Sequence, residues 1–81
     1  MDFLIGEIDL FPYGWAPMYW AVCEGQLLQI NQNQALYALI GNTFGGSQAQ
    51  NTFALPNLKG AEPIPGVKYY ICTMGLFPQR D

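Results

Sequence analysis

The period of hydrophobic and polar positions changes along the chain and divides it into elements. Residues 3–11 alternate loosely with a period of two, which predicts an N-terminal strand. One side of this strand carries Leu4, Ile8 and Leu10 and is apolar, so we expect that side to face the core. Gly6 interrupts the strand and indicates a bulge or a close backbone approach.

Two further apolar runs flank a two-residue turn sequence. They cover residues 19–23 and 26–30, and Glu24 and Gly25 lie between them. This spacing predicts a β-hairpin, in which Gly25 supplies the positive φ that the turn requires. The turn type stays open, because Glu24 is a weaker choice than Asn or Asp at the first central position.

A short helix is expected after the hairpin, over about residues 32–40. Asn31 fits its N-cap, Gln34 fits a capping box, and Gly41 fits its end. The apolar positions follow helical spacing and predict one buried face. That face carries Ala35, Leu36, Leu39 and Ile40.

The rest of the chain predicts a packed loop and a final strand. Residues 42–56 are rich in Gly, Ser, Asn, Gln and Thr, but apolar anchors such as Phe53 and Leu55 should hold this loop against the domain. Three prolines exclude a helix through residues 56–66. The run KYYICTM at 68–74 has strand period, and the apolar residues of the tail after it call for burial. We therefore predict a small, mainly β domain of the α+β class that spans residues 1–81 as a single unit.

Composition favours self-association. Hydrophobic residues make up 51% of the chain and charged residues only 11%, against about 25% charged in ordinary soluble domains. Much of the surface must then be apolar or uncharged, and large apolar patches usually mark interfaces. The alternative is a compact monomer whose surface consists of Asn, Gln, Gly and Pro.

Several function classes are disfavoured. Three scattered basic residues do not support binding to nucleic acid, and no apolar run approaches the ~20 residues of a transmembrane helix. The N-terminus lacks the basic region of a secretory signal, so we expect synthesis in a cytoplasm. The chain has no histidine, and no triad, metal set or cofactor fingerprint can be assembled from it. We expect no enzyme activity, no cofactor and no metal.

Two pairs of residues could carry chemistry but have simpler interpretations. Glu7 and Asp9 share one side of the first strand, where a solvated strand face is a better interpretation than acid–base catalysis. Cys23 and Cys72 each lie in an apolar run and lack CxxC spacing, which favours two buried reduced thiols. A disulfide between adjacent strands is the alternative.

Aromatic residues and a polar loop tip supply candidate contacts. Trp15 and Trp20 flank a turn-rich connector, and packing in the core is the favoured role for both rings. Stacking of such aromatics on a sugar face is the alternative. The candidate contact residues for a cell-surface glycan are Tyr13, Trp15, Ser47, Gln48, Gln50 and Asn51.

The order and spacing of several motifs resemble the phage tail collar family, and most closely its members known as microcystin-dependent proteins or tail fibre proteins. The resemblance covers nearly the whole chain. It is carried by IGEI at 5–8, AP at 16–17, Trp20, Ala21, Cys23, EGQLL at 24–28, NQALYALIG at 33–41, TFGG at 43–46, TFALPNLKG at 52–60 and YYICTMGLFPQR at 69–80.

This resemblance implies a structural component of a phage tail fibre or of a phage-tail-like particle. Fibre proteins of this kind are typically trimers, so it implies a homo-oligomer, most naturally a trimer, with other tail or fibre proteins as partners. Long members carry an extended segment before the last strand, where this chain has only residues 60–66. The short form therefore favours an assembly, capping or connector piece over a receptor-binding tip. A small glycan-binding module of the adhesin type is the alternative function.

Overall fold

The computed structural model describes residues 3–12 and 14–78. These residues form five strands, one α-helix and two single-turn 3₁₀ helices, which confirms the small α+β fold. The elements are β1 (Ile8–Phe11), β2 (Trp20–Val22), β3 (Leu27–Gln29), α1 (Gln34–Ile40), β4 (Thr52–Ala54) and β5 (Lys68–Cys72), with 3₁₀ turns at Ile30–Gln32 and Gln48–Gln50.

The strands form two antiparallel sheets. One has three strands in the order β1-β5-β2, and the other pairs β3 with β4. In the larger sheet Ile71 of β5 lies opposite Ile8 on one side and Ala21 on the other. Because β1 and β2 both run antiparallel to β5, they run parallel to each other, and the connection between Phe11 and Trp20 has to cross β5.

The predicted hairpin between residues 19–23 and 26–30 is wrong. Its two strands exist, but they belong to different sheets, since β2 pairs with β5 and β3 pairs with β4. Gly25 does turn the chain with φ +79°. The segments on the two sides of this turn do not pair with each other, because the Cys23 carbonyl oxygen accepts instead from the Leu58 N–H at 2.9 Å. Contacts between distant segments therefore override the local spacing.

The predicted loop at 42–56 contains a strand that the residue pattern does not predict. Residues 52–54 form β4, in which Phe53 lies opposite Leu28. The expectation that apolar anchors hold this segment down is confirmed, because Phe53 and Leu55 are almost completely buried. A strand of three residues is too short to show a period, which is why the polar residues around it dominated the prediction.

The helix begins two residues later than predicted, and the Asn31 capping box is wrong. Asn33 precedes α1 and makes no side-chain cap; its amide Nδ2 instead donates to the Gln29 carbonyl oxygen at 3.0 Å. Asn31 lies inside the preceding 3₁₀ turn. The end at Gly41 is confirmed: it has φ +55°, and its N–H donates to the Tyr37 carbonyl oxygen at 2.8 Å.

Only part of the predicted helix face is buried. Leu36 has no exposed surface, and Ile40 packs against the core. Leu39, however, is 37% exposed, and Ala35 is exposed as well. The helix has only seven residues and covers a narrow core, so about one side chain per turn is buried. The apolar residues on either side of that line, Ala35 and Leu39, remain exposed to solvent.

Two apolar clusters lie on opposite sides of the larger sheet, because neighbouring residues of β5 point to opposite faces. The first cluster lies between this sheet, the smaller sheet and α1, and the second is mainly aromatic. Trp20 of the second cluster packs edge-on against Phe3 and Phe11, with ring centroids 5.3 Å and 5.1 Å away. The first cluster consists of Ile5, Cys23, Leu36, Phe53, Leu55 and Ile71, and the second of Trp20, Tyr70 and Cys72.

The two cysteines are buried free thiols, which confirms the favoured interpretation over the disulfide. They belong to different clusters, Cys23 to the first and Cys72 to the second. Trp20, three residues before Cys23, is the residue opposite Cys72, so the two cysteines are separated by roughly 10 Å along the strand direction. A disulfide requires α-carbons within about 7 Å of each other.

Burial of Cys23 predicts a loss of stability at alkaline pH. Burial raises the pKa of this thiol to about 11, whereas an unfolded cysteine ionises with a pKa of about 8.5. The folded state therefore keeps the thiol neutral after the unfolded state has begun to ionise. Stability from this group is complete below about pH 8 and falls as the pH rises towards 11, by up to about 1.4 kcal/mol per pH unit.

Urea unfolding at several pH values measures this loss. Burial also raises the pKa of Cys72 and Tyr70, so wild type is compared with Cys23→Ala, which keeps both of those groups. We expect a shallower alkaline decline in the variant. Equal declines in the two proteins would show that Cys23 does not titrate as its burial requires.

Candidate interaction surface

A β-bulge at Gly6 positions the first strand. Glu7 donates its N–H to the Leu4 carbonyl oxygen at 3.0 Å and closes a turn, in which Gly6 has φ +88°. Gly6 then donates to the Cys72 carbonyl oxygen at 2.9 Å, while Cys72 donates to the Glu7 carbonyl oxygen at 2.8 Å. Two residues of the first strand thus face one residue of β5, as the glycine suggested.

The bulge explains why the first strand does not bury its apolar side as predicted. Because of the extra residue, Ile5 enters the first cluster although Ile8, three residues later, lies opposite Ile71 of that same cluster. Ile8 and Leu10 do lie on the core side of the sheet, but they are 40% and 38% exposed. Their burial was a wrong prediction, since β1 is an edge strand whose extensive contacts with other elements are those with β5.

Further large apolar side chains are exposed at both ends of the chain and on β3. Leu4 and Leu76 form an isolated bridge, yet both remain about half exposed, and Phe77 does too, so the expected burial of the tail is wrong. Leu27 of β3 is 59% exposed. The described part of the chain therefore leaves many large apolar side chains exposed to solvent, as interaction surfaces do.

The two acidic residues near the bulge interact with each other. A hydrogen bond between their side chains lowers the pKa of Glu7 and raises the pKa of Asp9. The Leu4 N–H, 3.2 Å from Glu7 Oε1, also favours the ionised form of Glu7. The two carboxyl groups therefore titrate as one interacting pair at the strand edge.

The polar loop tip is an ordered turn. Ser47 and Thr52 exchange backbone hydrogen bonds of 3.0 Å in both directions, which closes the loop at its base. Gln48 and Gln50, two of the predicted contact residues, lie on the intervening 3₁₀ turn with exposed side chains. Ser47 is half-buried. The turn therefore presents two glutamines to solvent from a rigid base.

Asn51, also predicted as a contact residue, clamps the loop to the residues before α1. Its Oδ1 accepts from the Asn31 N–H at 3.1 Å, and its Nδ2 donates to the Asn31 Oδ1 at 3.0 Å. Asn51 has φ +61°, in the left-handed region that asparagine tolerates better than most residues. This clamp could not be predicted from the sequence, because nothing local connects two asparagines that are 20 positions apart.

The aromatic connector is the other predicted contact region. Trp15 is 67% exposed, whereas Trp20 is 7% exposed, so the core prediction holds for Trp20 and is wrong for Trp15. Tyr13 lies outside the described residues. The structure places Trp15 on the connection between β1 and β2, and the residues from Ser47 to Asn51 on the loop before β4. The predicted contacts therefore occupy two separate segments of the fold.

A strained turn ends this connector. Trp20 donates its N–H to the Pro17 carbonyl oxygen at 3.0 Å, and Tyr19 within the turn has φ +72°. A non-glycine residue pays about 1–2 kcal/mol for this conformation. The cost is offset at the end of β5, because the Tyr19 carbonyl oxygen accepts from the Thr73 N–H at 2.8 Å and from its hydroxyl at 3.0 Å.

Comparison with known proteins identifies the family. Searches of curated proteins and of solved structures found no match to the chain. No helix in residues 3–12 and 14–78 has the length and apolar character that a membrane crossing requires. The family model for the phage tail collar domain matches residues 6–63, more than two thirds of the chain, and this range includes the EGQLL, NQALYALIG, TFGG and TFALPNLKG motifs. The chain therefore belongs to the phage tail collar domain family, whose general role is structural, in phage tail fibres.

Proposed function

We propose that this chain is a self-associating subunit of a phage tail fibre or phage-tail-like particle, that it forms a homotrimer, and that it contacts other tail or fibre proteins. The observation that carries the proposal is the open apolar side of β1. Ile8 and Leu10 extend the core face of the sheet beyond the elements that cover it. A second protein surface that covers them removes apolar area from water.

The composition of the chain supports the same conclusion. Only 11% of the residues are charged, so charge repulsion between copies is weak and does little to prevent their apolar surfaces from associating. An 81-residue chain also buries a modest share of its surface alone. Association then covers the exposed side of the core and raises the stability of each subunit. The specificity of association comes from the fit of side chains and from backbone pairing at strand edges.

The mass in solution tests the proposal. We expect light scattering coupled to gel filtration to give three times the 9.0 kDa mass of the chain over a wide concentration range. The thermal midpoint should also rise with protein concentration, because association stabilises the folded subunit. A monomer at the highest concentration would overturn the proposal.

Glycan binding is the second candidate function, and the exposure of Trp15 favours it. An exposed indole offers an apolar face for stacking on a sugar ring. The glutamines on the turn at residues 48–50 offer amide groups, but on a separate segment. A glycan-array screen of the assembled protein tests this function, and the absence of any binding would exclude it.

A further inference from the structure

The outer edges of the four strands that border the two sheets are not equivalent. The edge of β2 is occupied by neighbouring parts of the chain. The Trp20 N–H donates to the Pro17 carbonyl oxygen, and the Val22 carbonyl oxygen accepts from Gln26 Nε2 at 2.7 Å. These bonds use the groups of β2 that point away from β5, so no further strand can pair regularly there.

The edge of β4 is occupied as well. Ala54 donates its N–H to the Gly45 carbonyl oxygen at 3.1 Å, and Thr52 exchanges two bonds with Ser47. Residues 45–47 thus act as a third strand beside β4. Its outward groups at positions 52 and 54 are both satisfied.

No segment within residues 3–12 and 14–78 occupies the outer edge of β1. The bond from the Cys72 N–H to the Glu7 carbonyl oxygen sets the phase of the ladder. In an antiparallel pair alternate residues bond to the partner strand, so Asp9 bonds to β5, while Ile8 and Leu10 point their N–H and C=O groups outward. These two residues also carry the exposed apolar side chains of the strand.

Among the outward residues of β3 only Leu27 is open, because the Gln29 carbonyl oxygen already accepts from Asn33 Nδ2 at 3.0 Å. The Leu55 N–H donates to the Gln26 carbonyl oxygen and the Ile30 N–H to the Asn51 carbonyl oxygen, which places the groups of Leu27 outward. Leu27 is also exposed, at 59%, whereas its apolar neighbour Leu28 is half-buried. Leu27 therefore combines outward backbone groups with an exposed apolar side chain, as Ile8 and Leu10 do on β1.

We propose that β1 of one copy pairs with β3 of the next copy, which joins their sheets through the groups of Ile8, Leu10 and Leu27. This inference rests on the proposed self-association and specifies its interface. Only an extended strand offers donors and acceptors at the spacing of these edges. Leu27 then meets Ile8 or Leu10, so apolar side chains lie beside each other on both partners.

Pairing of two β1 edges with each other is disfavoured by charge. The antiparallel register that joins Ile8 of one copy to Leu10 of the other places Asp9 directly opposite Asp9 of the other copy. Like charges directly opposite destabilise a sheet. Such a contact is also isologous and stops at a dimer, whereas a trimer needs a contact between two different surfaces.

Amide hydrogen exchange in the wild-type oligomer gives the first test. The amide of Leu27, and the amide of whichever of Ile8 and Leu10 meets it, should exchange at least about tenfold more slowly in the oligomer than in a dissociated subunit, because each becomes bonded to the neighbouring copy. Fast exchange at these three amides in a stable oligomer would overturn the inference and leave the proposed function intact. A wild-type monomer would instead overturn the proposed function.

Single-edge variants give the second test. Leu10→Lys and Leu27→Lys each place a charge on one of the two edges, and both side chains are exposed enough for the fold to survive, which circular dichroism verifies. We expect each variant alone to be monomeric. Ile64→Lys is the matched control, because Ile64 is also 59% exposed but lies on a loop between β4 and β5; it should stay oligomeric. An oligomer that survives Leu27→Lys but not Leu10→Lys would indicate β1–β1 pairing and overturn the inference.

Discussion

Leu36→Ala should lower the free energy of unfolding by about 2–5 kcal/mol, because it removes a fully buried leucine and leaves a cavity. Leu36 lies at the centre of the first cluster with no exposed surface. It joins α1 to both sheets through neighbours such as Phe53 and Ile71. The domain has few other residues that can move in to fill the space.

Leu39→Ala is the matched control on the same helix. Leu39 is 37% exposed, so the same substitution removes much less buried surface and should cost about 1 kcal/mol or less. Both changes gain the same helix propensity. In a domain of this size each kcal/mol shifts the thermal midpoint by roughly 4–8 °C, so thermal or urea unfolding at one protein concentration separates the two. Equal losses would show that α1 buries a different face.

Gly46→Ala should cost about 2–5 kcal/mol, from strain in the left-handed region together with overpacking. Gly46 has φ +96°, and a β-carbon there would lie 2.5 Å from the α-carbon of Phe53 and 2.8 Å from the Thr52 carbonyl oxygen. Both contacts are with backbone, and Phe53 is fully buried in the core. Neither atom can move without displacing β4, so the cost cannot be relieved by a side-chain rotation.

Gly60→Ala separates strain from overpacking. Gly60 has nearly the same backbone angle, φ +93°, but a β-carbon there meets nothing within 4 Å. Gly60→Ala should therefore lower the free energy of unfolding only by the cost of the positive φ angle, about 1–2 kcal/mol. Denaturant unfolding of the two variants gives the difference, which measures the close approach of the loop to β4. If the two substitutions cost the same, the segment around Gly46 is looser than its contacts indicate.

The contrast at these two glycines shows what local sequence can and cannot reveal. The pair Gly45-Gly46 reads as a flexible point in a polar loop, although Gly46 is required because β4 passes directly beside it. Gly6 and Gly41 were recognised correctly, because a bulge and a helix end are local events with local signatures. The role of Gly46 depends on a strand that was itself not predicted.

The candidate interface was predictable only in part. An excess of apolar residues over charged ones predicts that some surface must be covered. Which backbone groups remain open could not be predicted, because that depends on the phase of each ladder. A single bond between Cys72 and Glu7 sets this phase for β1, and it joins residues 65 positions apart.

The sequence by itself determined the α+β class, the end of the helix at Gly41, the anchoring of Phe53 and Leu55, and the family motifs. Each depends on periodicity or on the preferences of a few adjacent residues. Only the tertiary structure decided that β2 and β3 part into different sheets, that Asn31 pairs with Asn51, and that Ile8 and Leu10 remain open. These features depend on which distant segments meet, and the free energy of burying β4 and β5 outweighs the local preference for a hairpin.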